Sequence, residues 1–258
     1  MARRPADVPL ARRALLEAGT AATRDLAECL AIDTAALMAA CFPGIGAGPV
    51  RAEAGAGVAS RERAGIVARM RAGGATLAAA LPEADLLALL HHPSDTVRGW
   101  AAFAVALRPR AGVAAQVAAM APFADDPHFA VREWAWLALR PHVVADTAGA
   151  LAALLPWARH TSERMRRFAS EATRPRGVWC AHLAPLKADP SPGLALLEPL
   201  HADPSRYVQD SVGNWLNDAA KDNPGWVRGV AAAWAARSPA PATRRILARA
   251  TCSLGPRG

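Results

Sequence analysis

The chain has 258 residues, of which 52% are hydrophobic and 20% are charged, so it can bury a large core and is not a wholly disordered protein. Its formal net charge is +8, because 28 arginines and the two lysines Lys187 and Lys221 outnumber 22 acidic residues. No apolar run reaches the roughly 18 residues that a membrane span needs. The four cysteines are scattered without a CxxC pair, so neither a disulfide framework nor a zinc site is supported.

The N-terminal third is predicted to be helical but irregular. Apolar residues recur with helical periodicity near 7–18, 22–30, 33–41, 59–71 and 75–90, and a glycine- and alanine-rich loop is predicted from Gly44 to Gly57. The basic start of the chain is not followed by an apolar segment, so we expect no secretion signal. Residues 1–90 are therefore predicted to form an atypical helical cap.

A repeat of 34 residues organises the next part of the chain. The segments VRGWAAFA, VREWAWLA and MRRFASEA start at Val97, Val131 and Met165, and a weaker copy starts at Val208. In each copy, apolar or small residues occupy offsets 0, 3, 4 and 7, which lie on one face of a helix. A fixed period of this length is typical of a helical solenoid.

Each repeat is predicted to contain a second helix, so that helix pairs stack. The first helices are predicted to stop at Pro109, Pro141 and Pro175, and the second helices lie near 111–121, 146–159 and 191–200. We therefore predict an all-α, HEAT-like helical-repeat solenoid that forms a single curved domain over residues 1–258. The repeats occupy 91–237, and a final helix near 241–252 lies in the C-terminal part, 238–258.

Three acidic residues fall on the first helices of successive copies. Glu133 is at offset 2, Glu171 at offset 6 and Asp218 at offset 10. Side chains four residues apart project from one side of a helix, and neighbouring helices pack about 8–10 Å apart. The three carboxylates are therefore predicted to converge on one surface, although acids on helices are more often solvated or paired with arginine, and that alternative stays open.

The charge balance favours a nucleic-acid partner. Binding to a phosphate backbone releases counterions, and a basic surface is the usual sign of such binding, although a merely solvated basic surface stays an alternative. Carboxylates within this surface repel phosphate, so binding alone does not account for them. Trp134, Trp136 and Trp215 are predicted to pack in the core, whereas Trp179 lies in a loop and can stack on a base or a sugar.

Three segments resemble one known family. Residues 166–179, RRFASEATRPRGVW, are similar to a hallmark stretch of the AlkC branch of DNA alkylation repair glycosylases. Residues 203–224 and 131–136 resemble two further blocks of that family, in the same order. The resemblance extends from roughly residue 25 to 237 and is more specific from 128 onward.

The resemblance implies a HEAT-like protein that wraps duplex DNA and excises cationic N3-alkylated bases, chiefly 3-methyladenine, with 3-methylcytosine as a second candidate. It makes Glu133, Glu171 and Asp218 the catalytic acids and Trp179 the contact to the lesion or sugar. Some members of the branch carry a further immunoglobulin-like domain, and this chain, ending at Gly258, resembles a shorter branch.

For a protein of this kind we expect a monomer whose partner is double-stranded DNA with alkylated bases. We expect it in the cytoplasm, associated with the nucleoid, with no membrane partner, no metal and no cofactor. The acids would stabilise an oxocarbenium-like sugar or activate water, with Glu171 the first candidate. The DNA backbone is predicted to be held by five arginines: Arg132, Arg166, Arg167, Arg174 and Arg176. Two alternatives stay open, namely a non-catalytic module for bent or branched DNA and a scaffold for protein partners.

Overall fold

The computed structural model describes residues 4–46 and 65–254, and every regular element in these ranges is helical, which confirms the all-α prediction. Numbered in chain order, the α-helices are α1 Leu10–Glu17, α2 Leu26–Ala31, α3 Thr34–Cys41, α4 Ile66–Ala80, α5 Glu83–Ala88, α6 Asp95–Ala106, α7 Gly112–Ala119, α8 Ala121–Ala124, α9 Phe129–Ala145, α10 Thr147–Leu154, α11 Glu163–Ala172, α12 Ala184–Ala188, α13 Leu194–Leu197, α14 Arg206–Ala220, α15 Pro224–Arg237 and α16 Pro241–Ala250. Short 3₁₀ helices cover Pro5–Asp7, Leu89–His91, Leu155–Arg159, Ser191–Gly193 and Glu198–Leu200.

The chain divides into two compact units. The first contains residues 1–109 and 126–138, and the second contains 110–125 and 139–258. In the first unit α4 packs against α6, and in the second α11 packs against α14, which also packs against α15 and α16. The predicted single curved domain, with its division into cap, repeats and tail, stays a prediction.

The helices of the repeat lie where the sequence predicts them. Helices α6, α9, α11 and α14 begin two residues before the four repeat copies. Ser94 and Ser162 cap α6 and α11, since the hydroxyl of each accepts a backbone N–H of the first turn. The alanines at offset 4, Ala101, Ala135 and Ala169, are fully buried, as a close approach of neighbouring helices requires.

Three predicted helix boundaries are wrong. The helix predicted at 75–90 is interrupted at Leu81 and Pro82, between α4 and α5. The break predicted between 71 and 75 does not exist, because α4 runs through Gly73 and Gly74 to Ala80. A Cβ atom at Gly73 would lie 2.3 Å from the indole of Trp100, so the glycine serves close packing against α6 and does not end the helix. Helix α9 continues through the exposed Pro141 to Ala145, because the turn beyond the proline buries Val143. Most of the predicted Gly44–Gly57 loop and the start of the helix predicted at 59–71 lie outside the described residues.

Two further observations cover all of the described ranges. No helix there is long and apolar enough to cross a membrane. In the same part of the chain, no group of three or more histidine, cysteine, aspartate or glutamate side chains is arranged to hold a metal ion.

Candidate functional site

Two of the three predicted acids meet in the second unit, with one arginine between them. Glu171 lies in the last turn of α11, and Asp218 lies on α14, which packs against it. The guanidinium of Arg174, just beyond α11, donates from Nη1 to Glu171 at 2.7 Å and from Nε to Asp218 at 2.9 Å. Glu171 and Asp218 are only 4% and 3% exposed, so this contact is a buried ion-pair cluster.

Further polar groups complete the cluster. Ser211 on α14 donates its hydroxyl to Glu171 at 2.7 Å, and Ser170 donates to Ser211 at 2.6 Å. Arg167 lies 3.5 Å from Glu171, and Lys221 lies 3.4 Å from Asp218. Three cationic side chains, including Arg174, therefore contact the two carboxylates.

The cluster keeps Glu171 ionised. Burial by itself raises the pKa of the Glu171 carboxyl, but the charges of Arg167 and Arg174 and the hydrogen bonds from Ser211 and Arg174 outweigh it. The net result is a pKa below the ordinary value of 4.5. A carboxylate with a lowered pKa is a weak proton acceptor at neutral pH, so this arrangement suits electrostatic stabilisation better than general-base catalysis.

The third acid has a different environment. Glu133 lies on α9 in the first unit, is partly exposed and accepts a hydrogen bond from Nε1 of Trp136 at 2.7 Å. The indole of Trp136 is buried, so this bond fixes the carboxylate at the edge of the core. Convergence of Glu133 with Glu171 and Asp218 stays a prediction.

Trp179 lies in an irregular loop between α11 and α12, as predicted. Its side chain is 56% exposed, while Trp134, Trp136 and Trp215 are buried, which confirms the core prediction for those three. Trp179 has a φ of +61°, the left-handed region that non-glycine residues seldom adopt, and among the described residues it is the non-glycine residue with positive φ. An exposed aromatic ring on a constrained backbone is suited to stacking.

The residue at offset 1 of each repeat has a recurring structural role. Arg98, Arg132 and Arg166 each donate to the carbonyl oxygens of the residues six and five positions earlier, and Gln209 donates to the carbonyl six positions earlier. These bonds fix the short segment that precedes each first helix against the first turn of that helix. The sequence carries a signal for this role, because offset 1 is arginine in the first three copies and glutamine in the fourth.

All five arginines predicted to bind phosphate have partners in their own chain. Arg132 and Arg166 hold the entry segments, and Arg166 also pairs with Asp203 at 2.6 Å. Arg167 and Arg174 are buried beside Glu171, and Arg167 also lies 4.9 Å from the centre of the Tyr207 ring. The remaining one, Arg176, pairs at 2.7 Å with Asp222, and 26% of its side chain is exposed. A phosphate contact stays a prediction for all five, and it is most compatible with Arg176.

Ser211 and Arg140 were missed by the sequence analysis. Ser211 occupies offset 3 of the fourth copy, where the other copies have Trp100, Trp134 and Phe168. A small hydroxyl residue at a position that otherwise carries a large apolar one is a usable signal for a buried polar contact. Arg140, described below, has no comparable signal in the repeat pattern.

Comparison with known proteins gives matches to two families. Residues 83–173 match HEAT repeats, and residues 130–245 match the family described as DNA alkylation repair enzyme. The chain is 48% identical over 60 residues to the uncharacterized protein YhaZ of Bacillus subtilis (strain 168), which covers 23% of this chain and 17% of that protein.

A solved structure extends the similarity to the fold. The alkylpurine DNA glycosylase AlkC of Pseudomonas fluorescens, bound to DNA that contains an abasic site analog, matches with a TM-score of 0.62 and 29% identity. The match covers 86% of this chain and 61% of that one. This chain therefore spans less than two thirds of the solved relative and a small part of YhaZ.

Proposed function

We propose that the chain is an AlkC-type DNA glycosylase that excises cationic N3-alkylated bases from duplex DNA. The match of residues 130–245 to the DNA alkylation repair enzyme family and the similarity to the AlkC structure support this proposal. The observation that carries this proposal is the 29% identity to the AlkC glycosylase over 86% of this chain. The net charge of +8 supports a DNA partner, because a basic protein gains affinity for phosphate by counterion release. We propose 3-methyladenine as the first substrate and 3-methylcytosine as the second.

The proposed chemistry needs little proton transfer to the leaving group. An N3-alkylated base already carries a positive charge, so the bond from C1′ to the base nitrogen breaks with its electron pair on the base, which leaves neutral. The deoxyribose then becomes oxocarbenium-like. Water forms the new bond to C1′, gives up its proton to a carboxylate or to solvent, and an abasic site remains.

The carboxylates are assigned different parts in this proposal. Glu133, the more exposed acid, is assigned direct stabilisation of the cationic sugar. Glu171 and Asp218 contribute negative charge through the buried cluster, where Arg174 sets their orientation. Trp179 packs on the lesion or the sugar through its exposed ring, and a cationic base strengthens that contact.

A second function is favoured by one observation. Three cations contact Glu171 and Asp218, so the cluster offers no excess negative charge to a cationic sugar. A protein that binds alkylated or bent DNA without cleaving the glycosidic bond would need no such excess. This non-catalytic module is the alternative that the experiment must separate from the glycosylase.

The test is release of free base from methylated duplex DNA. Purified protein in excess over DNA should release 3-methyladenine in a single turnover, with the released base identified by mass spectrometry. Glu133→Gln serves as the impaired control that should release base far more slowly, because it removes the charge proposed to stabilise the sugar and keeps the shape of the side chain. Binding to the same DNA without release of any base would establish the non-catalytic alternative.

A further inference from the structure

A buried arginine outside the predicted site holds the loop that carries Trp179. Arg140, on α9 in the second unit, is 2% exposed. Its guanidinium donates from Nη1 to the carbonyl oxygen of Ala172 at 2.9 Å, from Nη2 to that of Arg174 at 2.8 Å and from Nε to that of Ala181 at 2.9 Å. One planar group thus binds three points of the backbone.

The three carbonyl groups lie at the two ends of one loop, two at its start and one near its end. Ala172 is the last residue of α11 and Arg174 follows it closely, whereas Ala181 lies on the far side, three residues before α12 begins. The backbone N–H of Leu183 donates to the carbonyl of Pro175 at 2.9 Å and closes the same loop a second time. The loop of residues 173–183 has no regular secondary structure, so its shape depends on such contacts.

An arginine at this position is a costly choice for packing alone. Burial lowers the pKa of Arg140, which reflects the penalty for removing a cation from water. That penalty is offset by charge-assisted hydrogen bonds, which are roughly twice as strong as neutral ones. The rigid fork of the guanidinium also fixes directions, which a flexible ammonium group cannot do.

The residues that Arg140 restrains belong to the candidate site. Trp179 lies two positions before Ala181 and has the unusual φ of +61°, a backbone conformation that persists only when the surrounding structure fixes it. The carbonyl of Arg174 is one of the three acceptors, and the side chain of the same residue bridges Glu171 and Asp218. Movement of the loop would therefore displace both the exposed ring and the bridge.

We propose that Arg140 is a positioning residue that clamps the loop of residues 173–183 and so holds Trp179 and Arg174 in the arrangement that the reaction needs. This inference rests on the proposed function for the reaction, but the clamp itself is a property of the protein without DNA. Arg140 acts through the backbone of the loop and touches no substrate.

The clamp is tested first without any substrate. Trypsin can cut the Arg176–Gly177 bond inside the loop, whereas Arg174 is protected because proline follows it. Arg140→Lys and Arg140→Gln should accelerate this cut by about tenfold or more, since cleavage follows the fraction of open loop. The new N-terminus at Gly177 is followed by mass spectrometry well below the thermal unfolding midpoint of each variant.

Arg98→Lys is the matched control, because Arg98 is also buried and also donates to two backbone carbonyls, but lies in the first unit. It should leave cleavage at Gly177 unchanged. Equal cleavage of Arg140→Lys, Arg140→Gln and wild-type protein would overturn the clamp whatever the activity shows.

The second measurement is single-turnover excision. The rate constant should fall by about tenfold or more in Arg140→Gln and by less in Arg140→Lys, while affinity for undamaged duplex changes by less than about threefold. Faster cleavage of the loop with wild-type excision would overturn the positioning role. If the wild-type protein releases no base, the proposed function fails, and the proteolysis still decides whether Arg140 is the clamp.

Discussion

The carboxylates of the two units occupy related positions of the repeat but different physical environments. In the second unit, Glu171 and Asp218 are buried, and Arg174 lies between them within hydrogen-bonding distance of both. In the first unit, Glu133 keeps part of its surface exposed and accepts a hydrogen bond from a buried indole. Acids on the same side of the repeat helices therefore do not share one environment, because the side chains packed around each carboxylate differ.

This difference between the two environments separates the contribution of an acidic residue to stability from its contribution to ligand binding. A buried carboxylate paired with arginine contributes to stability only while its partner is present, since an unpaired buried charge is strongly unfavourable. A partly exposed carboxylate contributes little to stability but remains accessible to a cationic ligand. The predictions below test this contrast, beginning with the largest expected effect.

Removal of the central cation should have the largest effect. Arg174→Met leaves Glu171 and Asp218 buried without their shared partner, so we expect a loss of about 3–5 kcal/mol in the free energy of unfolding. Urea denaturation measures it. Arg237→Ala, which breaks an exposed pair with Glu198, is the control and should cost less than about 1 kcal/mol. Equal losses in both variants would mean that the buried cluster has no special role in stability.

Substitution of Glu133 and of Glu171 should have different effects on stability, although both should slow excision. Glu133→Gln should slow single-turnover excision by about 10²–10³-fold, which is the loss expected for one electrostatic contact to a transition state. Its thermal stability should stay close to that of the wild type, because the residue is partly exposed.

Glu171→Gln should also lose excision while it keeps DNA affinity, but it should in addition lose about 1–3 kcal/mol of stability, because Arg174 loses a charged partner. Excision at the wild-type rate by either variant would remove that residue from the chemistry. A stability loss in Glu133→Gln as large as in Glu171→Gln would contradict the contrast between the two environments.

Acid should destabilise the protein partly through Glu171. Because the folded-state pKa of this carboxyl is lowered below its ordinary value of 4.5, its contribution to stability is fully present above that value and is lost as the pH falls through the folded-state pKa. Urea unfolding of the wild type and of Glu171→Gln between pH 7 and acid measures the difference. The two curves should approach one another as the pH falls, and a constant separation would contradict the lowered pKa.

Substitution of two arginines should have the smallest effect, a change in the salt dependence of DNA affinity for only one of them. Arg176→Ala should reduce the slope of log affinity for duplex DNA against log salt concentration by about 1, because a phosphate contact from this partly exposed arginine would release one counterion from the DNA. Arg166→Ala should leave the slope unchanged and lower stability, because Arg166 binds its own chain. The reverse pattern would place Arg166 on the DNA and exclude Arg176.

The sequence by itself determined the helical repeat. Apolar residues at offsets 0, 3, 4 and 7 encode which face of each first helix is buried, and this period is local, so α6, α9, α11 and α14 lie where predicted. It also separated the exposed Trp179 from the buried Trp134, Trp136 and Trp215. The local rules failed at Gly73–Gly74 and Pro141, where tertiary packing outweighs the intrinsic preference of glycine and proline against helix interiors.

Only the tertiary structure decided which charges meet. Arg174 and Asp218 are 44 positions apart, Glu171 and Ser211 are 40 apart, and Arg140 reaches a loop more than 30 residues away. Periodicity reports burial along one helix, but a hydrogen bond between helices depends on their separation and on side-chain direction. For this reason the sequence did not show that the donors of Arg174 and Arg166, predicted to contact phosphate, are also directed to carboxylates and carbonyl oxygens of the folded chain.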